Sequence, residues 1–394
     1  MADAERDLLM VSRDDAPPYS PTLLPYVVSG RSDPSRIALR SEDWLRARGV
    51  RHLRARPVAS VRPGEGVANL LDGGTIRFEK LLVATGASPA RPPIPGLDRV
   101  RHHVLRTLAD ALGLRERLPH TRRAVVLGAG LIGMHAAENL AHAKAAVTIV
   151  EREPRVLPAY FEAEASGLIE SVFRQAGVEL RLGARVESVE PAGEGCTVAL
   201  ADGSRILADL LLVGTGVVPA TGLLEGSGVA IDRGVLVDDT MRTNVANVWA
   251  AGDVAQARTF GADAKLLNGI VPSAVEQGRI AGRSMSGDPG LKPFPGGVRL
   301  NAYTFFGNRA VSVGADCAGE DCEAVTRIDR EARRYLRIAL SGGRLAGIFG
   351  INAGFDPGIM WELILRGIDL GGAKARFLDD PQAAARALMS KHWR

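Results

Sequence analysis

An α/β protein with more than one domain is predicted by three features of the 394-residue sequence. Short apolar segments, typical of buried parallel strands, recur along the chain and run into turns that contain glycine. One of them continues into an alanine-rich stretch of helical character and then into a second apolar segment. Glycine (45 residues) and proline (22 residues) are plentiful, so we expect many tight turns between short elements. A chain of this length exceeds one ordinary core and indicates two or three domains.

The most informative segment contains a strand, a glycine turn, a helix, a second strand and an acidic residue, in that order. Ala124–Leu127 is an apolar, largely β-branched strand that enters a Gly-x-Gly-x-x-Gly turn at Gly128–Gly133. A helix is then expected to about Lys144, and a second strand at Ala146–Val150 ends at Glu151. This order of elements is typical of a βαβ unit that binds a dinucleotide.

Each glycine of this turn has a predicted physical role. Gly128 permits the tight turn, Gly130 lets the backbone approach a pyrophosphate, and Gly133 lets the helix pack closely on the strand. Ala129 and Ile132 complete the candidate binding residues of the turn. The N-terminus of the helix offers unpaired N–H groups and the positive end of the helix dipole to the phosphates. The alternative interpretation is a glycine turn that serves packing alone.

The residues around the end of the second strand bear on the choice of nucleotide. Glu151 can accept hydrogen bonds from the adenosine ribose hydroxyls, and its charge would repel a 2′-phosphate. Arg152 and Arg155 follow at once and could instead accommodate such a phosphate. We predict NAD(H) in preference to NADP(H), with Glu151 and Arg152 among the binding residues. His135, on the dinucleotide helix, is a further candidate, although core packing is the simpler interpretation.

Three other segments end an apolar strand with a glycine turn. Phe78–Gly96 and Ala208–Thr221 share the order strand, Thr-Gly and proline, whereas Thr243–Ala257 ends its strand with Gly-Asp. An aspartate at the carboxyl end of a strand, beside a nucleotide cleft, is well placed to hold a ribityl or ribose hydroxyl. It could equally be a helix-capping residue. The candidate binding residues of these segments are Ala84, Thr85, Gly86, Gly214, Thr215, Gly216, Gly252 and Asp253.

In combination, these motifs resemble those of the pyridine-nucleotide–disulfide oxidoreductase superfamily, and in particular its ferredoxin-reductase-like branch. The resemblance extends over about residues 8–282. It includes Pro272–Gly282, which contains Gln277 and is similar to the helix that lies beneath the flavin ring in that family. The family has one Rossmann-like domain for FAD and another for NAD(P)H. The resemblance therefore implies that the chain binds FAD as well as NAD(H), with Gln277 among the cofactor-binding residues.

The same analogy implies that the NAD domain is inserted in the FAD domain. Residues 1–107 and 240–295 would form the FAD domain, and residues 108–239 the NAD domain. Residues 296–394 would form an α+β interface domain, and with it a possible homodimer. Within that domain, Arg333–Ile351 predicts a β-hairpin around its Gly-Gly pair, and Asp356–Leu370 predicts an amphipathic helix.

The start of the chain departs from the family pattern. Its first glycine is Gly30, whereas the family begins with a strand and a glycine-rich turn that holds the FAD pyrophosphate. We interpret residues 1–7 as the end of the helix after such a turn, and Met1 as an internal methionine taken as the start. Without that strand, the parallel sheet of the FAD domain would lack its central member. Asp14 is the candidate ribose ligand here, although the usual acidic position corresponds to Ser12.

The three cysteines give no sign of a reactive pair at the flavin. Disulfide-reducing members of the family carry Cys-x4-Cys on the flavin side, or a single cysteine where this chain has Thr22, and only a thiolate can attack a disulfide. We interpret Cys317 and Cys322 as incidental cysteines of a hairpin loop whose acidic neighbours disfavour thiolates, and Cys196 as a core residue. No serine–histidine–aspartate arrangement stands out, as expected where cofactors carry the chemistry.

Composition and charge exclude several classes of protein. The formal net charge is +4, and the basic residues are scattered among the acidic ones, so we expect no nucleic-acid partner. No apolar run reaches about 18 residues, which argues against a membrane span. We expect no secretory signal in the N-terminal sequence, and the low cysteine content indicates the cytoplasm.

We therefore expect an FAD-dependent NAD(P)H oxidoreductase that transfers a hydride between NADH and FAD. Its electrons would pass to an external acceptor, such as an iron–sulfur protein or a partner subunit, and flow in the reverse direction is equally compatible. Two alternatives stay open. One is a free NADH:quinone or oxygen oxidoreductase, and the other is a flavin-free NAD-binding or scaffolding subunit of an oxidoreductase complex.

Overall fold

A computed structural model of the chain describes residues 7–317 and 321–392. The interpretation of the first residues as the end of a helix falls mainly on residues 1–6 and so lies outside the described part. The strands are, in chain order, β1 Leu8–Val11, β2 Val50–Leu53, β3 Val58–Arg62, β4 Val67–Leu70, β5 Thr75–Arg77, β6 Leu81–Val83, β7 Ala87–Pro89, β8 Arg123–Leu127, β9 Ala146–Val150, β10 Glu179–Arg181, β11 Val186–Ala192, β12 Gly195–Leu200, β13 Arg205–Ala208, β14 Leu210–Val213, β15 Val217–Pro219, β16 Val235–Leu236, β17 Val248–Ala250, β18 Ala255–Arg258, β19 Lys265–Leu267, β20 Leu300–Phe305, β21 Asn308–Gly314, β22 Cys322–Asp329, β23 Arg334–Ser341 and β24 Arg344–Ile351.

The α-helices are α1 Leu24–Val28, α2 Glu42–Arg46, α3 Leu108–Arg117, α4 Leu131–His142, α5 Ala163–Gln175, α6 Val271–Ser286, α7 Pro357–Leu365, α8 Lys374–Asp379 and α9 Pro381–His392. Helix α3 begins with a capping box, because Thr107 Oγ1 accepts from the Asp110 N–H and the Asp110 carboxylate accepts from the Thr107 N–H. In the described part of the chain, none of these helices has the length and apolar character needed to cross a bilayer.

The chain divides into two compact units. The first unit contains Met1–Pro92, His103–His120 and Gly216–Gly296. The second unit contains Pro93–His102, Thr121–Thr215 and Gly297–Arg394. The division into three domains expected from the sequence stays a prediction.

The first unit contains two small parallel sheets. Strand β1 pairs with β2, and β17 pairs with β6. Within the described residues each of these sheets has two strands, and β17 also forms an isolated bridge between Trp249 and Arg242. Trp249 on β17 is 3% exposed and donates its indole N–H to Ser284 on α6, at 3.0 Å. The gap expected in the parallel sheet of this region stays a prediction.

The second unit contains the predicted βαβ segment in a parallel sheet with the order β10-β9-β8-β14. Strand β8 begins at Arg123, one residue before the predicted strand, and β9 coincides with the predicted Ala146–Val150. Helix α4 ends at His142, close to the predicted end. The side chains of Ala124–Leu127 are at most 2% exposed, as expected for a parallel strand that is covered on both faces.

The C-terminal part of the second unit is a five-stranded antiparallel sheet with the order β20-β21-β24-β23-β22. Strands β23 and β24 form the predicted hairpin, and the turn residues Gly342 and Gly343 both have positive φ angles. Helix α7 begins after Asp356, whose side chain accepts from the N–H groups of Gly358 and Ile359. It ends at Leu365, five residues before the predicted end, and it buries one apolar face against the sheet.

Candidate functional site

The glycine turn between β8 and α4 is closely packed at two positions and open at a third. A Cβ atom on Gly128 would lie 2.6 Å from the carbonyl oxygen of Gly214 and 3.3 Å from Cα of Thr215. A Cβ atom on Gly133 would lie 1.9 Å from the carbonyl oxygen of Gly128, whereas one on Gly130 would meet nothing within 4 Å. Gly128 and Gly133 therefore allow the backbone to pack, and Gly130 leaves the space that a pyrophosphate would need.

The first turn of α4 and the Glu151 carboxylate are the other parts of this candidate nucleotide site. Helix α4 begins after Gly130, with neither a side-chain cap nor an acidic residue in its first turn, and Ile132 is 38% exposed. Glu151 Oε2 accepts from the Ala129 N–H at 2.7 Å, and its Oε1 accepts from the Glu153 N–H at 2.9 Å. Both oxygens keep a further lone pair for ribose hydroxyls. Uncapped N–H groups, an open glycine and an oriented carboxylate fit the adenosine diphosphate half of NAD(H).

The loop after β9 packs against the same turn. The Leu157 N–H donates to the carbonyl oxygen of Ala129 at 3.0 Å. The Arg152 side chain is 83% exposed, and its Nε lies 3.4 Å from the Glu153 carboxylate. The Nε atom of Arg155 is enclosed without a hydrogen-bond partner in the described residues. The charged group held against the turn is therefore the Glu151 carboxylate, whereas the Arg152 side chain extends into solvent.

In the first unit, the Gly-Asp motif follows β17 and is joined to two distant segments. Gly252 has a φ of +81°, and its N–H donates to Gln277 Oε1 at 2.8 Å. Gln277 lies on α6 and is 2% exposed. Asp253 Oδ2 accepts from Arg106 Nη2 at 2.8 Å, and about a quarter of each of these two side chains is exposed. The aspartate is therefore held by a guanidinium group and does not act as a simple helix cap.

Two glycines let the backbone approach this ion pair closely. A Cβ atom on Gly86 would lie 3.1 Å from Arg106 Nη2, and one on Gly269 would lie 3.6 Å from Asp253 Oδ1. A guanidinium has five N–H donors, so Arg106 retains donors beyond its bond to Asp253. A partly exposed carboxylate and guanidinium in a cradle of glycines fit the ribityl hydroxyls and a phosphate of FAD. Asp253, Gly252 and Arg106 are the residues that would hold this part of the cofactor.

The other predicted residues of the strand ends in the first unit have different surroundings. Ala84 and Thr85 are exposed, and Thr85 Oγ1 donates to the carbonyl oxygen of Ala220 at 2.8 Å. The carbonyl oxygen of Gly216, which has a φ of +108°, accepts from the Ala90 N–H at 2.9 Å. These contacts join the two connecting segments that contain β7 and β15. A role of Ala84, Thr85 and Gly216 in cofactor binding stays a prediction.

Asp14 is engaged with its neighbours in sequence. Its Oδ2 accepts from the Tyr19 hydroxyl at 3.0 Å, and its Oδ1 lies 3.7 Å from Arg13 Nε. Burial raises the pKa of Tyr19 to about 12, and the Tyr19 oxygen in turn accepts from the Leu108 N–H at 3.0 Å. Asp14 thus anchors this segment to the start of α3, and ribose binding by Asp14 stays a prediction.

A serine, a histidine and a carboxylate come together at the end of β1, which corrects the expectation from the sequence. Ser12 Oγ lies 3.0 Å from His52 Nε2, and His52 Nδ1 lies 2.9 Å from Glu42 Oε1. The three residues lie on three different segments; His52 is 10 residues from Glu42 and 40 residues from Ser12. No local sequence pattern joins them, because the parallel pairing of β1 and β2 and the packing of α2 bring them into contact.

Arg106 is a second residue that the sequence patterns do not reveal. It lies 147 residues from Asp253, outside every recognised motif, just before the capping box of α3. Asp110 Oδ2 also accepts from the Arg106 N–H at 3.0 Å, which fixes the backbone of this arginine. A single arginine at a helix start carries no pattern of its own, so only the folded chain shows its contact.

The remaining candidates of the sequence are a histidine and the cysteines. His135 packs edge-on against Tyr303, with ring centroids 4.5 Å apart, which supports the packing interpretation. Cys196 is buried as expected. Cys317 and Cys322 form a disulfide, so their interpretation as incidental thiols is wrong. The connection from β21 to β22 brings their Cα atoms to 5.6 Å, within the range that a disulfide requires.

Comparison with known proteins identifies the family. A family model described as pyridine nucleotide-disulphide oxidoreductase matches residues 1–278. The NADH-dependent phenylglyoxylate dehydrogenase subunit epsilon of Aromatoleum evansii is 50% identical over 395 residues, which cover 100% of this chain and 94% of that protein. The rubredoxin-NAD(+) reductase of Pseudomonas putida is 31% identical over 290 residues, 73% of this chain and 75% of that protein.

A solved structure has the same fold. The ferredoxin reductase for the CYP199A2 system from Rhodopseudomonas palustris has a TM-score of 0.81 and 25% identity, over 89% of this chain and 86% of that chain. The predicted α/β fold and the predicted superfamily are confirmed, as is the general activity of an NAD(P)H oxidoreductase. The family match covers more than half of the chain and includes the glycine turn, Glu151 and the Gly-Asp motif. The chain belongs to the pyridine nucleotide-disulphide oxidoreductase family.

Proposed function

We propose that this chain is the NADH-oxidising, FAD-dependent electron-transfer subunit of a larger oxidoreductase complex. The observation that carries this proposal is the Gly128–Gly133 turn with its oriented Glu151 carboxylate, in a chain that is 50% identical to a relative along its whole length. That relative is named as a subunit of an NADH-dependent dehydrogenase. The activity and the partner of this chain are inferred from these two facts together.

The nucleotide is NADH in this proposal. A 2′-phosphate next to Glu151 would bring a second negative charge to a carboxylate that two backbone N–H groups hold in place. Arg152 would need to leave solvent and Glu153 to compensate that charge, and ordering a long side chain costs entropy. The adenosine ribose of NADH instead meets free lone pairs of Glu151.

FAD, when bound, supplies the hydride and electron transfer. Residues of this chain would bind and orient it. Asp253, which Arg106 holds, would accept from ribityl hydroxyls, and the remaining donors of Arg106 would bind a phosphate. Thr22 stands where disulfide-reducing relatives are expected to have a cysteine, so the chain offers no thiol there to receive electrons. The electrons therefore leave for an external acceptor, which we infer to be an iron–sulfur protein or another subunit.

The proposal is tested by expressing the full chain and recording its visible spectrum before and after anaerobic addition of NADH. We expect a bound-flavin spectrum that bleaches with NADH and recovers when an oxidised iron–sulfur acceptor is added. Equal turnover with quinone or oxygen and no gain from the protein acceptor would instead indicate a free oxidoreductase.

One specific observation favours a second candidate function. In the described part of the chain, strands β1 and β17 lie in separate two-stranded sheets. A flavin half of this kind would suit a flavin-free subunit that binds NAD(H) through the intact βαβ unit. A colourless protein that still binds NADH would select this function over the first.

A further inference from the structure

The net positive charge of the chain is concentrated in one segment of the first unit. Residues 31–56 contain eight arginines and three acidic residues, a net charge of +5. The whole chain has 49 basic and 45 acidic residues and a net charge of +4, so 41 basic and 42 acidic residues remain outside this segment. The rest of the chain is therefore nearly neutral. A local excess of one sign produces an electrostatic potential that attracts the opposite charge.

Carboxylates of the chain itself neutralise half of these arginines. The four sets of ion pairs are Arg46 with Asp43, Arg51 with Asp7, Arg54 with Asp15 and Glu42, and Arg56 with Asp72. The remaining four arginines are exposed and form no ion pair in the described part of the chain. These are Arg31, Arg36, Arg40 and Arg48. The third acidic residue of the segment, Asp33, accepts from the N–H and the hydroxyl of Ser35 instead.

An exposed tryptophan contacts two of these four arginines. The guanidinium carbon of Arg48 lies 3.8 Å from the centre of the Trp44 ring, and that of Arg40 lies 4.9 Å from it. Trp44 is 38% exposed, and Leu39, which precedes Arg40, is 50% exposed. Helix α2 fixes the backbone of Trp44, whose N–H donates to the Ser41 hydroxyl at 3.1 Å. We call Leu39, Arg40, Trp44 and Arg48 the Trp44 surface.

The two arginines of the Trp44 surface keep most of their hydrogen-bond donors for a partner. A guanidinium has five N–H donors. Within the described residues, Arg40 donates to the Leu39 carbonyl oxygen at 2.6 Å, and Arg48 donates to that of Trp44 at 3.3 Å. Stacking on the indole orients these planar groups but leaves their charge in place. Two like charges over one ring repel each other, so carboxylates that bind both arginines would relieve this repulsion.

The composition of the Trp44 surface favours a protein partner with an acidic face. Tryptophan and arginine are enriched among the residues that dominate the binding free energy of protein–protein interfaces. A guanidinium binds a carboxylate through two parallel hydrogen bonds, and the indole offers apolar contact area. A second copy of this chain is disfavoured, because a two-fold contact through this surface would bring like charges together. Nucleic acid is disfavoured as well, since it needs more phosphate contacts than two arginines provide.

We propose that the Trp44 surface docks the acidic face of a partner subunit. Carboxylates of that subunit bind Arg40 and Arg48, and the Trp44 indole packs against apolar groups between them. The inference rests on the proposed subunit function and deepens it, because it locates where the partner binds. None of the residues of this surface is among those that we assign to NADH or FAD. Changes to the surface should therefore weaken assembly and leave the reaction with a small acceptor unchanged.

The first experiment measures assembly with defined partners. The tagged full chain is co-expressed with the oxidoreductase subunits encoded beside it, and the subunit that binds it directly is purified for titration by calorimetry. We expect Arg40→Glu and Arg48→Glu each to weaken this binding about tenfold, and Trp44→Ala about thirtyfold, as for residues at the centre of an interface. Trp44→Phe, which keeps an aromatic ring, should retain most of the affinity.

Arg77→Glu is the matched control for these variants. Arg77 is an exposed arginine of β5 in the same unit, it forms no ion pair within the described residues, and its replacement changes the net charge by the same amount. It should bind the partner subunit like the wild type. Thermal unfolding, and NADH oxidation with the small uncharged acceptor menadione, should match the wild type in the arginine variants. These variants change exposed side chains only, so they decide the outcome even if Trp44→Ala is less stable.

The second experiment tests the charge of the partner's face. Between about 50 and 300 mM salt, the affinity of the wild type for the partner subunit should fall several-fold, because salt screens the attraction between the two faces. The double variant Arg40→Glu and Arg48→Glu should lose most of this dependence. Poly-L-glutamate should displace the partner subunit from the wild type, and a short DNA duplex should bind the wild type more weakly than the partner subunit does.

The outcomes separate this inference from the proposed function. A wild type that copurifies with no oxidoreductase subunit overturns the subunit function and the inference with it. A wild type that binds a subunit, with the same affinity in Arg40→Glu and Arg48→Glu or with an equal loss in Arg77→Glu, overturns the docking surface and leaves the subunit function standing. An affinity that is independent of salt overturns the part assigned to carboxylates. Tighter binding of the DNA duplex than of the subunit would assign the surface to nucleic acid instead.

Discussion

Among single residues, Glu151 contributes most to the proposed nucleotide preference, because both of its oxygens are fixed by backbone N–H groups. Glutamine has the same size but only one acceptor oxygen, so Glu151→Gln removes the charge and leaves one N–H group without its partner. We expect this variant to bind NADH about tenfold more weakly and to discriminate less against NADPH. Dissociation constants for both nucleotides, measured by protein fluorescence, check this expectation.

Glu153→Gln is the matched control for that experiment. Glu153 lies two residues away, its side chain is about half exposed, and it interacts with the exposed Arg152. Its replacement should leave both dissociation constants unchanged. Equal losses in the two variants would show that general charge around the loop, and not the oriented carboxylate of Glu151, sets the nucleotide affinity.

At the level of elements, we assign different roles to two glycines of the turn: Gly133 serves packing, and Gly130 serves nucleotide binding. A methyl group at Gly133 would collide with the carbonyl oxygen of Gly128, at 1.9 Å, whereas one at Gly130 would meet only open space. We expect Gly133→Ala to lower the thermal stability of the protein, because helix α4 must move away from β8. Gly130→Ala should keep the stability of the wild type and weaken NADH binding at least tenfold, because the methyl group takes the space of the pyrophosphate.

Thermal unfolding and NADH titration of the two variants test this separation directly. Similar stability in Gly130→Ala and Gly133→Ala would contradict the close packing at Gly133. Normal NADH affinity in Gly130→Ala would mean that the nucleotide does not approach the turn.

Asp209 directly precedes β14, and its carboxylate bonds to the start of the neighbouring strand β8. Oδ1 accepts from Arg123 Nη2 at 2.8 Å, and Oδ2 accepts from the N–H groups of Arg122 and Arg123. The hydrogen bond from the Arg123 side chain, together with these N–H groups, lowers the pKa of Asp209. A carboxyl with a lowered folded-state pKa stabilises the fold above its unfolded pKa of about 3.9, and this contribution is lost as the pH falls through the folded-state value.

We therefore expect Asp209→Asn to unfold at a lower temperature than the wild type at pH 7. The difference should shrink progressively as the pH is lowered below about 4, because the wild type then also loses the charge of Asp209. Thermal unfolding of both proteins over a pH series provides the measurement, with Asp263→Asn, an exposed turn residue, as the control. A difference that stays constant as the pH falls to about 2, below the unfolded pKa, would contradict a role for the charge.

For the molecule as a whole, the residues that we propose for NADH and for flavin belong to different compact units. The glycine turn and Glu151 lie in the second unit, and Asp253 and Arg106 lie in the first. We expect flavin-free protein to bind NADH still, so that NADH at about 100 times its dissociation constant adds about 2.7 kcal/mol to the stability of the unit that binds it. The transition of the second unit should therefore rise in temperature with NADH, and less with NADPH at the same concentration.

Calorimetry of flavin-free protein with each nucleotide measures this shift. Gly130→Ala serves as the control, because its turn should no longer admit the pyrophosphate. A shift that requires added FAD would contradict an independent NADH site.

The sequence was sufficient to predict the βαβ unit, the hairpin at Gly342–Gly343 and the helix after Asp356. Each of these rests on local features: a glycine that only a tight turn requires, an apolar period of one strand or one helix, or a cap beside the helix that it begins. Strand β9 begins and ends at the predicted residues for this reason. The family followed from the same features, because its motifs are short segments of this kind.

The contacts of Arg106 with Asp253, of Ser12 with His52 and Glu42, and of Cys317 with Cys322 were decided by the folded chain. Hydrogen bonds and ion pairs act over about 3 Å, so they depend on which distant segments the packing brings together. Arg106 and Asp253 are 147 residues apart, and no periodic pattern encodes such a pairing. Local chemistry thus determines where this chain can turn, cap and bind a phosphate, and long-range packing determines which side chains orient one another there.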